Sequence, residues 1–140
     1  MRRTVLLLGL LLVTLCLPRP APAESEEQAA EEKPAPLSYL PLDPPLVVNV
    51  DDDGRVGFLQ IEAQIASRTP GAKDILERHE APVRHALIML VSGRPVAELR
   101  TIRGKEALRK EARAALRKVL EEETGQPVVD EIYFTSFIIQ

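Results

Sequence analysis

The 140-residue sequence has few of the residues from which disulfide-rich and metal-binding domains are built. Its single cysteine, Cys16, excludes an intrachain disulfide and a zinc site made of several cysteines. Tryptophan is absent and aromatic residues make up only 4% of the chain, so the core must be mainly aliphatic. The net charge is −3, and removal of residues 1–23 with their three arginines would make it −6. This balance argues against general nucleic-acid binding.

The sequence also lacks a recognisable catalytic motif. It contains no glycine-rich phosphate loop, no nucleophile elbow and no cysteine nucleophile in its folded part. The two histidines, His79 and His85, are six residues apart in a helical region and do not share a face, so they form a poor metal-binding pair. His79 lies on an apolar stripe, where we predict a packing role. The sequence therefore predicts no catalytic residue, cofactor or metal site, and a hydrolase whose serine, histidine and carboxylate meet only in space is the remaining enzymatic alternative.

The N-terminus has the layout of an export signal. Arg2 and Arg3 precede the apolar run 5–17, and Ala21-Pro22-Ala23 then places small residues at the spacing that signal peptidase recognises. A membrane-spanning helix needs roughly 20 apolar residues, so the length of the run favours a cleaved signal over a short anchor, although both alternatives stand. Residues 24–38 are acidic and rich in alanine and proline, which predicts a disordered tether.

Residues 39–140 are predicted to form one α+β domain that begins with two strands. Leu46–Val50 and Val56–Ser67 are joined at Asp53-Gly54, a dipeptide typical of tight hairpin turns. Apolar and polar residues alternate in the second strand, which predicts one buried face formed by Leu59, Ile61, Ala63 and Ile65. The spacing of the consecutive aspartates before Gly54 differs from that of a calcium-binding loop, so we predict a turn there.

Two helical regions and a last strand follow. Thr69-Pro70 predicts a helix start, and apolar residues then recur at helical spacing up to Val91, with a break near Pro82. Gly104–Thr124 is the second main predicted helix. Val128–Gln140 is apolar on both alternating faces, so we predict a strand that is covered on both sides. The order β-β-α-α-β predicts a sheet of about three strands with two main helices on one face.

The second helix carries an unusual concentration of basic residues. Arg109, Arg113 and Arg117 are four residues apart and form one row beside the apolar stripe, here called the arginine ridge. The simpler interpretation is a solvated face supported by Arg117–Glu121 and Lys118–Glu122 pairs. The functional alternative is a protein-interaction stripe that meets an acidic surface, such as the acidic end of a neighbouring copy.

Four regions of the folded part occur in order over residues 39–140: Tyr39–Asn49 (YLPLDPPLVVN), Pro82–His85 followed by Leu90–Ser92, Gly104–Arg109, and Ile132–Gln140 (IYFTSFIIQ). Together these segments resemble the FliL family of flagellar basal-body proteins. The resemblance implies a stomatin-like periplasmic domain over these residues, preceded by an N-terminal apolar segment that anchors it to the inner membrane. A soluble periplasmic product, formed if residues 1–23 are cleaved off, is the alternative localisation.

The resemblance also implies a function. It is a non-enzymatic role beside the stator units of the flagellar motor, supporting flagellar rotation, swimming and swarming motility and chemotaxis. The implied partners are stator and basal-body proteins, together with further copies of the chain in a ring. The alternative is an exported periplasmic adaptor of the same fold that binds another complex of the cell envelope.

Overall fold

The structure, a computed structural model, describes residues 35–140. The predicted apolar segment and most of the predicted tether lie in residues 1–34, outside the described part. The strands and helices are β1 (Ser38–Pro41), β2 (Leu46–Asp52), β3 (Arg55–Ser67), α1 (Ala72–Arg78), α2 (Glu80–Val91), α3 (Val96–Leu99), α4 (Ile102–Thr124) and β4 (Glu131–Ile139). This order confirms the α+β class.

Strand β3 is the centre of a small antiparallel sheet. β4 pairs with Leu59–Ala66 along one side of β3. β1 and β2 pair with β3 residues that overlap both ends of this range, so both must lie along the other side of β3, one after the other. The sheet therefore has four strands where the sequence predicts about three, and it is three strands wide because β1 and β2 follow one another along the same side of β3.

The tight turn between β2 and β3 forms where the sequence predicts it. Asp53 and Gly54 both have positive φ angles, 55° and 80°, the left-handed conformation that a two-residue hairpin turn requires. The Asp51 carboxylate accepts a hydrogen bond of 2.8 Å from the backbone N–H of Gly54. The turn thus fixes the register in which β2 and β3 pair.

The core lies between one face of the sheet and the helices. The alternating apolar residues of β3 that the sequence predicts to be buried are all buried. They meet the stripe of α4 formed by Leu108, Ala112, Leu116 and Leu120, and the stripe of α2 formed by Val83, Leu87 and Val91. Because these residues recur every three or four positions, each helix turns one continuous apolar face toward the sheet.

The first helical region starts later than predicted and breaks close to the predicted position. The break lies at His79, between α1 and α2, three residues before Pro82. Pro82 occupies the first turn of α2, where a backbone N–H would have no partner within the helix, so the proline costs the helix nothing. Thr69 and Pro70 form a turn before α1 instead of its first residues, and the short α3 was not predicted.

The prediction that the last strand is covered on both sides is wrong. Tyr133 and Ile138 are exposed on the outer face of the sheet, the face opposite the helices of the described part. Ala63 pairs with Phe134 and Glu62 pairs with Ser136, so Thr135 is an extra residue, a β-bulge. A bulge reverses the alternation of faces beyond it. Phe134 and Phe137 therefore both face the core, and the simple period of two assigns them to opposite faces incorrectly.

Candidate interaction surface

The arginine ridge runs along α4 next to its buried stripe. Each of its three arginines directly follows a buried residue of the stripe, and each is half-buried in the structure. The helix that carries them is capped at its start, because the hydroxyl of Thr101 accepts a hydrogen bond of 2.9 Å from the N–H of Gly104. The ridge is therefore held in position by a well-anchored helix, beside the core as predicted.

Two members of the ridge converge on one carboxylate at the start of β4. Arg109 Nη1 lies 2.7 Å from Glu131 Oε1, and Arg113 Nη1 lies 3.8 Å from Glu131 Oε2. Arg109 also pairs with Glu106 at 3.1 Å. The sequence analysis missed Glu131, since its only sequence signal is a single acid next to an apolar strand. These contacts tie α4 to β4, so Arg109 and Arg113 have at least a structural role.

The charges in this cluster stabilise one another. Burial raises the pKa of Glu131, but the backbone N–H of Ile132 and the guanidinium of Arg109 outweigh burial, and the pKa of Glu131 is lowered overall. The carboxylates of Glu106 and Glu131 raise the pKa of Arg109. Glu131 is therefore ionised at neutral pH and acts as a fixed anion between the helix and the strand.

Arg117 differs from the other two ridge residues. Among residues 35–140 it has no ion pair, and the predicted Arg117–Glu121 pair is not formed, whereas the predicted Lys118–Glu122 pair is present at 3.9 Å. Arg113 lies between these two cases. Its Nη1 is near Glu131, but its Nε is buried without a hydrogen-bond partner in the described part of the chain. Arg117 is thus the ridge residue whose guanidinium is the most available for an external carboxylate.

A groove of about 830 Å³ lies between the first half of α4 and β4. Its lining combines positive, negative and aromatic side chains: Ile102, Lys105, Glu106, Arg109, Glu131, Tyr133, Phe134, Thr135, Ser136 and Phe137. The Lys105 ammonium lies 5.1 Å from the centre of the Phe137 ring, within the range of a cation–π contact. In the described part of the chain, β4 pairs only with β3. The other backbone edge of β4, beside this groove, is therefore open to a partner.

The histidines do not form part of this surface. His79 is half-buried at the junction of α1 and α2, with Nδ1 3.8 Å from Glu123 Oε2. Within residues 35–140, no group of three or more histidine, cysteine or carboxylate side chains is arranged to hold a metal ion. In the same residues, no helix has the length and apolar character needed to cross a membrane.

Two of the segments that suggested a family contact each other in the fold. Arg84 of α2 donates hydrogen bonds to the backbone carbonyls of Pro44, at 2.7 Å, and Pro45, at 3.4 Å. The sequence matches the profile of the family described as flagellar basal body-associated protein FliL over residues 39–140. The chain belongs to the FliL family. The FliL match includes every helix of the described structure and the paired strands from Tyr39 onward.

A relative supports this assignment. The chain is 29% identical over 99 residues to the flagellar protein FliL of Aquifex aeolicus (strain VF5), a match that covers 71% of this chain and 59% of that protein. Membership of the FliL family assigns the protein to the flagellar basal body, which is a structure of the bacterial cell envelope.

Proposed function

We propose that this protein is a non-enzymatic component of the flagellar motor that associates with the stator units. It supports flagellar rotation under load, and through rotation it supports swimming, swarming and chemotaxis. The observation that carries the proposal is the match to the FliL family over residues 39–140. The absence of a predicted catalytic motif in the sequence and the interaction surface on α4 agree with a binding role.

The same proposal includes the arrangement of the chain at the envelope. Residues 39–140 form a stomatin-like periplasmic domain, residues 24–38 are a spacer, and residues 1–23 are an export signal or a short inner-membrane anchor. Copies of the domain associate into a ring around the stator. An acidic surface of a stator or basal-body protein docks on the arginine ridge, since a guanidinium can bind a carboxylate through two parallel hydrogen bonds.

Deletion of the gene tests the role in the motor. We expect the deletion strain to grow normally, to swim more slowly in viscous medium and to swarm poorly on agar, because stator support matters most at high load. Expression of the wild-type chain from a plasmid should restore both behaviours. Normal swimming and swarming in the deletion strain under load would contradict the proposal, and a different envelope defect in that strain would favour the adaptor alternative.

A further inference from the structure

The outer face of the sheet, which none of the helices within residues 35–140 covers, carries an apolar patch. We define the open patch as Val47, Val56, Phe58 and Ile138, which are 62%, 70%, 51% and 44% exposed. The pairing places them together: Val47 and Ile138 are both opposite Gln60, and Phe58 and Val56 follow along β3 toward the turn. Contiguous exposed apolar side chains on a soluble domain mark a site that another molecule covers.

Acidic side chains border the open patch. Asp51 and Asp53 lie at its turn end, and the exposed Glu62 lies on β3 beyond Gln60, whereas Asp52 alternates to the covered face and pairs with Arg55 there. Arg55 is the one basic residue of the same turn. A partner that carries an apolar side chain between basic ones therefore matches the patch in both chemistry and charge. Two copies meeting patch to patch would place these carboxylates close together, so a symmetric face-to-face contact is disfavoured.

The start of α4 has the complementary character. Ile102 is 84% exposed, the most exposed of the large apolar residues in the described part of the chain. Arg100 and Arg103 on either side of it are exposed, and neither has an ion pair among residues 35–140. We call Arg100–Arg103 the basic knob. Because α4 packs on the covered face of the sheet, the knob and the open patch of one copy lie in different layers and do not meet.

We infer that the basic knob of one copy docks on the open patch of a second copy, with Ile102 among the apolar side chains and the two arginines facing the bordering carboxylates. This inference rests on the self-association proposed above and assigns its two surfaces. Since the surfaces differ, the contact is head to tail, and it produces a ring if the rotation between copies closes and a chain if it does not.

Variants that remove one surface each provide the test. In the full-length purified chain, Ile102→Ser removes the knob and Phe58→Ser removes the patch. Both side chains are largely exposed, so both variants should stay folded, which circular dichroism checks. We expect each variant alone to sediment as a monomer at concentrations where the wild type assembles, with association weakened about tenfold or more. Met89→Ser is the matched control, because Met89 is 63% exposed on α2 away from both surfaces.

Mixing the two variants distinguishes a head-to-tail contact from a symmetric one. The Ile102→Ser chain keeps an intact patch and the Phe58→Ser chain keeps an intact knob, so an equimolar mixture should form dimers that cannot extend. A mixture that stays monomeric would overturn the inference. Wild-type-like assembly of Ile102→Ser alone would also overturn the inference, because the copies would then associate without the basic knob.

Charge reversal tests the pairing of the two surfaces in a second way. Arg103→Glu and Glu62→Lys should each weaken assembly, and the double variant in one chain should recover at least part of it, because the reversed knob then meets a reversed border. Lys110→Glu, an exposed position on α4 outside the knob, should have little effect. Failure of the double variant to recover any assembly would count against the inference.

Failure here is distinguishable from failure of the proposed function. If the wild-type chain sediments as a monomer at every concentration and salt, the head-to-tail contact is wrong, while the motility defect of the deletion strain can still be present. If the deletion strain moves normally under load, the motor role is wrong, while the assembly of the purified chain and its response to the variants remain measurable.

Discussion

At the scale of single residues, Gly104 shows how one missing side chain lets two helices approach. A Cβ built at this third position of α4 would lie 2.8 Å from the carbonyl carbon of Glu98 in α3, closer still to its oxygen, and 3.0 Å from Thr101 Oγ1. Backbone atoms cannot move aside as a flexible side chain can, so the local packing depends on a glycine here.

We therefore predict that Gly104→Ala lowers the free energy of unfolding by about 1–3 kcal/mol, because the clash outweighs the better helix propensity of alanine. Urea unfolding of the wild type and the variant measures the difference. Ala114→Gly, at an exposed position of the same helix, is the reference and should cost about 1 kcal/mol through propensity alone. A neutral or stabilising Gly104→Ala would show that α3 shifts freely to make room.

Glu131 gives a pH-dependent prediction. Its pKa is lowered in the folded state, so the ionised carboxylate adds stability that is fully present above its ordinary pKa and is lost as the pH falls through the folded-state pKa. Glu131→Gln should cost about 1–2 kcal/mol near neutral pH, since it weakens the hydrogen bonds to Arg109 and Ile132.

The difference in unfolding free energy between wild type and Glu131→Gln should shrink as the pH falls below the ordinary pKa of a glutamate side chain and through the lowered folded-state pKa of Glu131. Urea unfolding at a series of pH values from neutral to acidic measures it. Glu122→Gln, an exposed position paired with Lys118 across 3.9 Å, is the control and should differ little from wild type at any pH. A difference for Glu131→Gln that stays constant into strong acid would contradict the assignment.

At the scale of elements, Arg84 connects α2 by hydrogen bonds to the segment between β1 and β2. Its guanidinium reaches two carbonyls at once, those of Pro44 and Pro45, and also lies 3.7 Å from Glu80. Arg84→Lys should lower the unfolding free energy by about 1 kcal/mol, because one ammonium cannot reproduce both hydrogen bonds. Urea unfolding checks this, with the exposed Arg78→Lys as control. If Arg84→Lys and Arg78→Lys lower the unfolding free energy equally, the hydrogen bonds from Arg84 to Pro44 and Pro45 do not contribute to stability.

The elements that the sequence predicts well are those whose signal is local. The alternation in β3, the Asp53-Gly54 turn and the apolar stripe of α4 depend on residues within a few positions, and all three are present. The bulge at Thr135 has no such signal, so simple alternation places Phe134 and Phe137 on opposite faces of β4, whereas both face the core. The carboxylate that pairs with Arg109 was missed for the same reason, since only the packing of α4 on the sheet brings Glu131 to it.

At the scale of the whole molecule, different residues of the arginine ridge are expected to serve stability and assembly. Arg109 is paired within the chain, so Arg109→Gln should destabilise the domain, whereas Arg117→Gln should change the unfolding free energy by less than about 0.5 kcal/mol. If the ridge docks on an acidic partner, Arg117→Gln should still reduce co-purification with the stator, and Arg117→Lys should restore it only in part.

The loss for Arg117→Gln should be larger at low salt, because exposed charges are screened over about 8–10 Å near physiological ionic strength. Pull-down of the full-length chain at low and at high salt, with Lys118→Gln as the matched control, measures the effect. If wild type and Arg117→Gln recover the stator equally at both salt concentrations, the ridge is a solvated face and not a docking surface.

The central position of β3 also determines the order in which its neighbouring strands can pair with it during synthesis. Its pairing with β2 closes through a two-residue turn, whereas its other side pairs with β4, which follows the four helices of residues 35–140. Short loops close at a lower entropic cost than long ones, so the β2–β3 hairpin can form while the chain is still emerging. Until β4 has been synthesised, one edge of the hairpin is unpaired and α4 lacks its contacts with β4. A nascent chain at this stage exposes an open strand to chaperones and to other unfinished chains.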